Sequence, residues 1–184
     1  MIICLFIAVY YLGFDRYNQN MLFDDIKELS TLKNEYRALA VIKDTFSKYP
    51  NRFLVYYDEI YHCYLCPHFP ITKEEIKDNF YSEKILEYIS NELRVSKKHL
   101  FVNSVRQQKE HVKYSLREND NKNFLFYYCK VDISNFDKYQ NIKNDSFIIQ
   151  GKKFAWVSLA ELRKDTNTME RNSDVVNYLE SNKW

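Results

Sequence analysis

The sequence predicts a mixed α/β domain, a mixed sheet flanked by helices and preceded by a long amphipathic helix. Three patterns support this prediction. After Pro50, short runs rich in aromatic and β-branched residues recur, as in strands. Between Lys84 and Leu100 the apolar residues follow helical spacing. A longer helical pattern runs from Asn20 to Lys48, and Pro50 ends it.

The composition sets the class of protein. A length of 184 residues suits one domain with an appendage, and the aromatic share of 17% supplies material for a core and for stacking surfaces. The net charge of +2 argues against a nucleic-acid polymer as partner. With only 2 glycines the chain has no Gly-rich phosphate loop. The 4 cysteines indicate a reducing compartment, and Cys63 and Cys66 are interpreted as core residues because strand positions three apart face opposite ways.

The N-terminal part divides into a hydrophobic segment, residues 1–14, and a helical stalk or linker, residues 15–50. The segment is shorter than the roughly 20 residues of a membrane span. Two interpretations stay open: the tail of a membrane helix that begins upstream, or a buried core helix. In the stalk, heptad positions are mostly apolar, which is typical of a short coiled coil and predicts a homo-oligomer. An amphipathic helix packed on its own domain is the alternative.

Residues 51–184 carry the predicted mixed domain. Arg52–Tyr57 and Ile60–Leu65 predict a hairpin, and the helix within Lys84–Leu100 follows. Ser158 and Glu161 form a capping box that begins a short helix, and a last helix is expected over Ser173–Ser181. The remaining strands are predicted at Leu100–Val105, Val112–Arg117, Phe124–Ile133, Phe147–Ile149 and Lys153–Val157.

This order of elements, together with the helix at Lys84–Leu100, resembles the nudix family over roughly residues 51–181. Aligned without gaps, the apolar positions of the nudix signature fall on Ile89 and Val95. The signature glycines fall on Lys73 and Arg94, its arginine on Glu87, and its glutamates on Asn79, Tyr88, Asn91 and Glu92. Ala155–Leu162 is similar to the strand-to-helix ending common in the family. The resemblance implies the fold, while the substitutions remove most of the signature acids.

In nudix hydrolases the helix glutamates hold divalent metal ions, so the resemblance implies a lost catalytic site. Glu92 is the residual nudix acid, and one carboxylate is too few for a hard cation. We therefore expect binding without hydrolysis, no catalytic residues, no metal ligands and no cofactor. The alternative is an active hydrolase that uses Mg²⁺ and relocated acids such as Glu74, Glu75 or Glu83.

A ligand-binding surface is predicted where basic residues cluster, between Lys97 and Arg117. In the predicted strand Val112–Arg117 the polar residues alternate with Val112, Tyr114 and Leu116. We therefore expect the polar face to bind the ligand and the apolar face to pack against the protein. Such a surface suits phosphates, with nearby aromatic rings stacking a base. An edge strand kept soluble by its charges is the alternative. The candidate ligand-binding residues are Arg106, His111, Lys113, Tyr114, Ser115 and Arg117.

A degenerate nudix domain behind an N-terminal hydrophobic segment resembles the SMODS-associated nudix family. That resemblance implies a sensor of a cyclic oligonucleotide or other nucleotide second messenger, made by a partner nucleotidyltransferase in antiphage (CBASS-type) defence. It also implies a membrane effector attached through residues 1–14, with the globular domain in the cytoplasm. A cytoplasmic soluble protein is the alternative location, and a non-catalytic protein-interaction adaptor is the alternative function.

Overall fold

The computed structural model describes residues 32–49, 51–77, 81–182 and 184, apart from the side chains of residues 77, 81 and 104–109. The chain divides into two compact units, Met1–Lys33 and Asn34–Trp184. Leu32 and Lys33 are the described residues of the first unit. The predicted hydrophobic segment 1–14 and the stalk up to residue 31 therefore lie outside the described residues. No helix within the described ranges is long and apolar enough to cross a membrane.

The described part of the second unit contains two runs of four strands, each followed by two helices. The strands are β1 (Asn34–Val41), β2 (Arg52–Asp58), β3 (Cys63–Leu65), β4 (His68–Pro70), β5 (Leu100–Ser115), β6 (Asp120–Ile133), β7 (Ser146–Ile149) and β8 (Lys152–Ser158). The helices are α1 (Lys73–Lys77), α2 (Tyr81–Leu93), α3 (Leu159–Lys164) and α4 (Thr166–Ser181). Short 3₁₀ turns lie at Lys97–His99, Phe136–Lys138 and Gln140–Lys143.

The strands form two four-stranded sheets. The first has the order β4-β1-β6-β5, with β1 and β6 parallel and the other pairs antiparallel, so it is mixed. The second has the order β3-β2-β8-β7 and is antiparallel. Its β2–β3 pair is the predicted hairpin. The predicted fold class, mixed α/β with flanking helices, is confirmed.

The core consists of two clusters, one on each side of the first sheet. The first cluster packs α2, through Ile85, Ile89 and Leu93, against Ala38 of β1 and residues from both sheets. The second cluster packs α3 and α4 against the other face, where Tyr128 of β6 is fully buried. Because β1 is covered on both faces, its inner residues are buried without alternation.

The prediction of a helix from Asn20 to Lys48 is wrong for Asn34–Val41, which form β1 at the centre of the first sheet. A strand buried on both faces is a continuous apolar run, and a short run of this kind matches a heptad pattern by chance. The second compact unit begins at Asn34 and so includes β1, which lies ahead of the boundary predicted at residue 50.

Further along the chain the predicted elements are present with changed limits. The strands predicted at Leu100–Val105 and Val112–Arg117 are one strand, β5, whose pairing with β6 shifts register twice. The capping box of Ser158 and Glu161 is confirmed, since each side chain accepts the other's backbone N–H. The last helix begins seven residues earlier than predicted, at Thr166 rather than Ser173.

Helix α4 closes the free edge of β3 through side chains. The Tyr64 N–H donates to Oγ1 of Thr168 at 2.9 Å, and the Tyr64 carbonyl accepts from Nδ2 of Asn172 at 3.3 Å. Both side chains therefore replace a neighbouring strand. At Asn172 the backbone leaves helical geometry (φ −137°, ψ 20°), so α4 is kinked where it meets the sheets.

Candidate functional site

A cavity of about 390 Å³ lies against the first sheet, on the side covered by α4. Its floor consists of residues from β1, β5 and β6. Its walls are the turn after β2, strand β3 and the first half of α4. Small-molecule sites have volumes of about 300–1,000 Å³, so this one suits a single small ligand or one unit of a larger ligand.

Four of the predicted ligand-binding residues line this cavity: Lys113, Tyr114, Ser115 and Arg117. His111 lies beside it, with Nε2 3.5 Å from Oδ2 of Asp174. The sixth predicted residue, Arg106, lies in β5 opposite Tyr128, and its side chain is outside the described set. The charged end of β5 thus reaches one common space, as its local pattern predicts.

The expectation that the apolar face of this strand packs is wrong. Val112 and Tyr114 border the cavity but are 51% and 48% exposed, whereas Ser115 is 5% exposed. The polar face points inward because α4 supplies Asp174 opposite Lys113, so the cation is compensated where it is partly buried. The polar face lines the cavity as predicted, whereas the apolar face, which was predicted to pack, is about half exposed.

Lys113 is held by α4. Its Nζ donates to Oδ1 of Asp174 at 2.5 Å and lies 3.4 Å from the carbonyl oxygen of Arg171. Arg171 directly precedes the kink, where carbonyls lose their helical donors. The ring centroid of Phe126 lies 5.3 Å from the ammonium, within the range of a cation–π contact. Lys113 thus fastens the kink to the sheet as well as lining the cavity.

Arg117 is held by the β2–β3 turn. Its Nη2 donates to Oδ2 of Asp58 at 2.7 Å, and the guanidinium lies 5.8 Å from the ring centroid of Tyr61. Oδ1 of Asp58 accepts the backbone N–H groups of Ile60 at 3.0 Å and Tyr61 at 3.1 Å. Asp58 therefore fixes the turn and the guanidinium together. The arginine itself stays accessible, with its side chain 56% exposed.

Strand β1 adds a second set of charges that the sequence did not single out. Glu35 pairs with Arg37, and Oε2 of Glu35 accepts from Nζ of Lys122 at 2.8 Å. Burial alone would raise the pKa of Glu35, but the hydrogen bond from Lys122 and the charge of Arg37 hold it below its ordinary value. Glu35 is therefore a permanent negative charge at the cavity floor.

Two phenylalanines form an aromatic surface on the same floor. The rings of Phe124 and Phe126 have centroids 5.9 Å apart and planes inclined by 7°. Both side chains line the cavity because positions two apart on β6 share one face. Phe126 is only 8% exposed, so the half-buried ring of Phe124 offers most of the area on which a planar ligand can stack.

The charged groups around the cavity balance each other. The basic residues are Arg37, Lys113, Arg117 and Arg171, and the acidic ones are Glu35, Asp58, Glu118 and Glu170. Arg37, Lys113 and Arg117 each pair with a carboxylate, so an anionic ligand has to displace or share that partner there. Arg171 is exposed and has no carboxylate partner among the described residues.

His68 contributes a neutral acceptor. Burial, the chief cause, and the charges of Arg37, Lys152 and Arg117 together lower its pKa to about 4, against the hydrogen bond to the Cys66 carbonyl, so the ring is neutral at pH 7. Its Nδ1 lies 3.0 Å from the Cys66 carbonyl, which can only accept, so Nδ1 carries the proton. Nε2 is therefore left with a free lone pair on a side chain that lines the cavity.

The residual nudix acid lies outside this cavity. Oε2 of Glu92 accepts from Nζ of Lys152 at 3.0 Å, and the Tyr88 hydroxyl also hydrogen-bonds to Glu92. Among the relocated acids of the hydrolase alternative, Glu75 pairs with Lys84 and accepts the Thr72 N–H at 2.9 Å. The described residues contain no group of three His, Cys, Asp or Glu side chains placed to hold a metal ion.

No family model and no curated protein matches the chain. Among solved structures it is similar to the Ap4A hydrolase of C. elegans, with 12% identity, a TM-score of 0.48, and coverage of 82% of this chain and 97% of the other. It is also similar to a NUDIX hydrolase from Nitrosomonas europaea, with 13% identity, a TM-score of 0.45, and coverage of 81% and 87%. The mixed α/β architecture stated above rests on the sheets and helices of this chain itself.

Proposed function

We propose that this chain binds a nucleotide-type ligand, a planar base with phosphate, in the cavity and does not hydrolyse it. The observation that supports this most is the meeting of Lys113 and Arg117 with the Phe124–Phe126 surface around one space of ligand size. Cations for phosphate and rings for a base are the two groups that nucleotide recognition requires.

In this proposal Arg117 is the principal phosphate contact. Its guanidinium is more than half exposed, and a phosphate that replaces Asp58 meets the same planar set of donors. The ring shelf of Phe124 and Phe126 takes the base. Ser115 and the neutral His68 supply a hydroxyl and an acceptor for the polar edge of the ligand.

The balance of charges favours a phosphodiester over a polyphosphate. A phosphodiester carries one negative charge per nucleotide, so each unit displaces one carboxylate at most. A cyclic oligonucleotide second messenger, the class implied by the SMODS-associated resemblance, meets this requirement. With a cavity of about 390 Å³, one nucleotide of such a ring enters while the rest lies at the mouth.

The wider role in this proposal is that of a sensor. The resemblance implies a membrane-associated, homo-oligomeric antiphage effector whose partner enzyme is a nucleotidyltransferase, and we propose this role for the domain. That part of the proposal comes from the resemblance alone. Its test is sedimentation of the full chain with vesicles, and measurement of its mass in solution, with and without ligand.

Calorimetric titration with cyclic di- and trinucleotides in EDTA tests the binding proposal. We expect saturable binding, weakened about 10-fold or more by Arg117→Glu, because a charge-assisted hydrogen bond is replaced by repulsion. Lys98→Glu makes the same charge change at an exposed lysine of the Lys97–His99 turn and should leave the affinity unchanged. Equal affinity of Arg117→Glu and wild type would contradict the assignment of this cavity.

The same samples separate the hydrolase and the adaptor. One test is whether the protein releases a mononucleotide from a nucleoside diphosphate derivative when magnesium is present. Release that Glu92→Gln abolishes would establish hydrolysis and contradict the proposal. A ligand that binds the folded state raises its stability, so a thermal-shift measurement checks the same nucleotides independently. If none of them binds at concentrations well above micromolar, the adaptor becomes the better explanation.

A further inference from the structure

The residual nudix acid, Glu92, is paired with the side-chain ammonium of Lys152. Lys152, the first residue of β8, reaches back to α2, where its Nζ lies 3.0 Å from Oε2 of Glu92. The same ammonium lies 3.6 Å from the ring centroid of Tyr56, at the close end of cation–π distances. The Tyr88 hydroxyl completes the set around the carboxylate.

The groups around Glu92 do not fit a divalent metal ion. A hard cation requires about six oxygen ligands, several of them charged. Glu92 offers one carboxylate, and the neighbouring Asn91 carbonyl accepts from Nε2 of Gln150 at 2.8 Å. A metal ion here would also lie beside the Lys152 ammonium, which repels it. The donor set therefore disagrees with the metal that the nudix resemblance implies.

We propose that Lys152 is a tethered cation that takes the place of a divalent metal ion at the C-terminal end of α2. Glu92 and the face of Tyr56 bind the ammonium as they would bind a small cation, and the covalent link keeps it in place without free metal. The inference goes beyond the proposed ligand, because it concerns Glu92 and Lys152, which lie outside the cavity lining.

Lys152 is separated from the cavity by one side chain, that of Tyr56. Tyr56 lies between Lys152 and His68, with ring centroids of Tyr56 and His68 6.1 Å apart. His68 lines the cavity, and the charge of Lys152 is one of the causes that keep this histidine neutral. A permanent charge at Lys152 thus serves the cavity in the absence of metal.

Charge reversal with a matched control tests the proposal. Lys152→Glu places a second carboxylate beside Glu92, which should lower Tm in EDTA and create the acid pair that a metal ion needs. Mn²⁺ should then restore the variant, with a rise in Tm of about 5 °C or more at 100 times its Kd. Lys153→Glu makes the same change at the exposed next residue, on the opposite face of β8, and should show no such rise. Wild type should behave as the control.

Two results would overturn the proposal. One is a rise in Tm of the wild type with Mn²⁺ that Glu92→Gln removes, since the metal would then bind despite Lys152. The other is Lys152→Glu responding to Mn²⁺ no more than Lys153→Glu, which would reduce the contact to an ordinary ion pair.

If Lys152→Glu does not fold, a second pair of variants tests whether Glu92 needs the Lys152 ammonium. Lys152→Met keeps the apolar contact with Tyr56 and leaves Glu92 without a cation, so its Tm should fall. Adding Glu92→Gln should recover part of the loss, whereas equal Tm values for the single and double variants would contradict the inference. Nucleotide binding is measured separately with Arg117 variants, so the proposed ligand can fail while Lys152 keeps its role, and the reverse.

Discussion

Asp174→Asn should strengthen the binding of an anionic ligand, because Asp174 competes with that ligand for Lys113. The carboxylate lies 2.5 Å from Nζ, and the two side chains are 14% and 23% exposed. A phosphate that binds Lys113 has the Asp174 charge within about 5 Å, which costs ~1 kcal/mol in water and ~3 kcal/mol at an effective dielectric constant of about 20. Removing that charge should therefore tighten binding about 10-fold, or ~1.4 kcal/mol.

The assay is calorimetric titration of a cyclic dinucleotide into wild type and variant in one buffer of low ionic strength. Glu180→Gln removes the same charge from the last turns of α4, where Glu180 pairs with Arg163, and it controls for net charge. Urea unfolding measures the cost of the change, expected to be about 1 kcal/mol because the pair is partly exposed. Unchanged or weaker binding by Asp174→Asn would show that Lys113 stabilises the α4 kink and does not bind the ligand.

Three further predictions concern stability. Ile89→Ala should cost about 2–5 kcal/mol in urea unfolding, since Ile89 is fully buried between α2 and the first sheet, and a smaller loss would question that packing. Thr168→Val should cost about 1–3 kcal/mol because the Tyr64 N–H loses its acceptor, whereas Thr168→Ser keeps the hydroxyl and should cost less. Burial raises the pKa of Asp44, but hydrogen bonds from Ser47 and Arg52 outweigh it and lower the pKa below its ordinary value. The ionised Asp44 therefore stabilises the fold above its unfolded-state pKa, and this stabilisation is lost as the pH falls through the folded-state pKa. Asp44→Asn should flatten this acid limb of a stability profile, and an unaltered limb would assign it to other carboxylates.

The elements that sequence patterns predicted correctly are those whose signal is local. The β2–β3 hairpin follows from clustered aromatic and β-branched residues, and the capping box at Ser158 from two residues three apart. Strand β1 was missed because a strand buried on both faces has no alternation to reveal it. The apolar face of β5 was wrongly expected to pack, because α4 covers the polar face instead, and the strand's own residues do not encode where α4 lies.

The same division holds for the candidate site. Lys113 and Arg117 were found because they lie four residues apart in one basic stretch of sequence, which forms the end of β5 and the turn after it. Their partners are distant in sequence, Asp174 by 61 residues and Asp58 by 59, and only the folded chain brings them together. Arg37, in the strand mistaken for a helix, could not have been included. A local motif therefore indicates where charge gathers, whereas the compensation of that charge depends on topology.

The charged groups at Glu92 and in the cavity are neutralised in the same way, by pairing with another side chain of the protein. At Glu92 a carboxylate is neutralised by Lys152, and in the cavity Arg117 is neutralised by Asp58, each across a distance of 3.0 Å or less. Both centres are thus internally paired, so neither depends on a free ion for its charge balance. An anion that enters the cavity exchanges one partner for another at a guanidinium that Asp58 already holds in place, and the displaced carboxylate opposes binding as Asp174 does at Lys113. Recognition of this kind selects ligands by the number and spacing of their charges. It follows that added Mg²⁺, which screens phosphates, should weaken rather than support binding at the cavity.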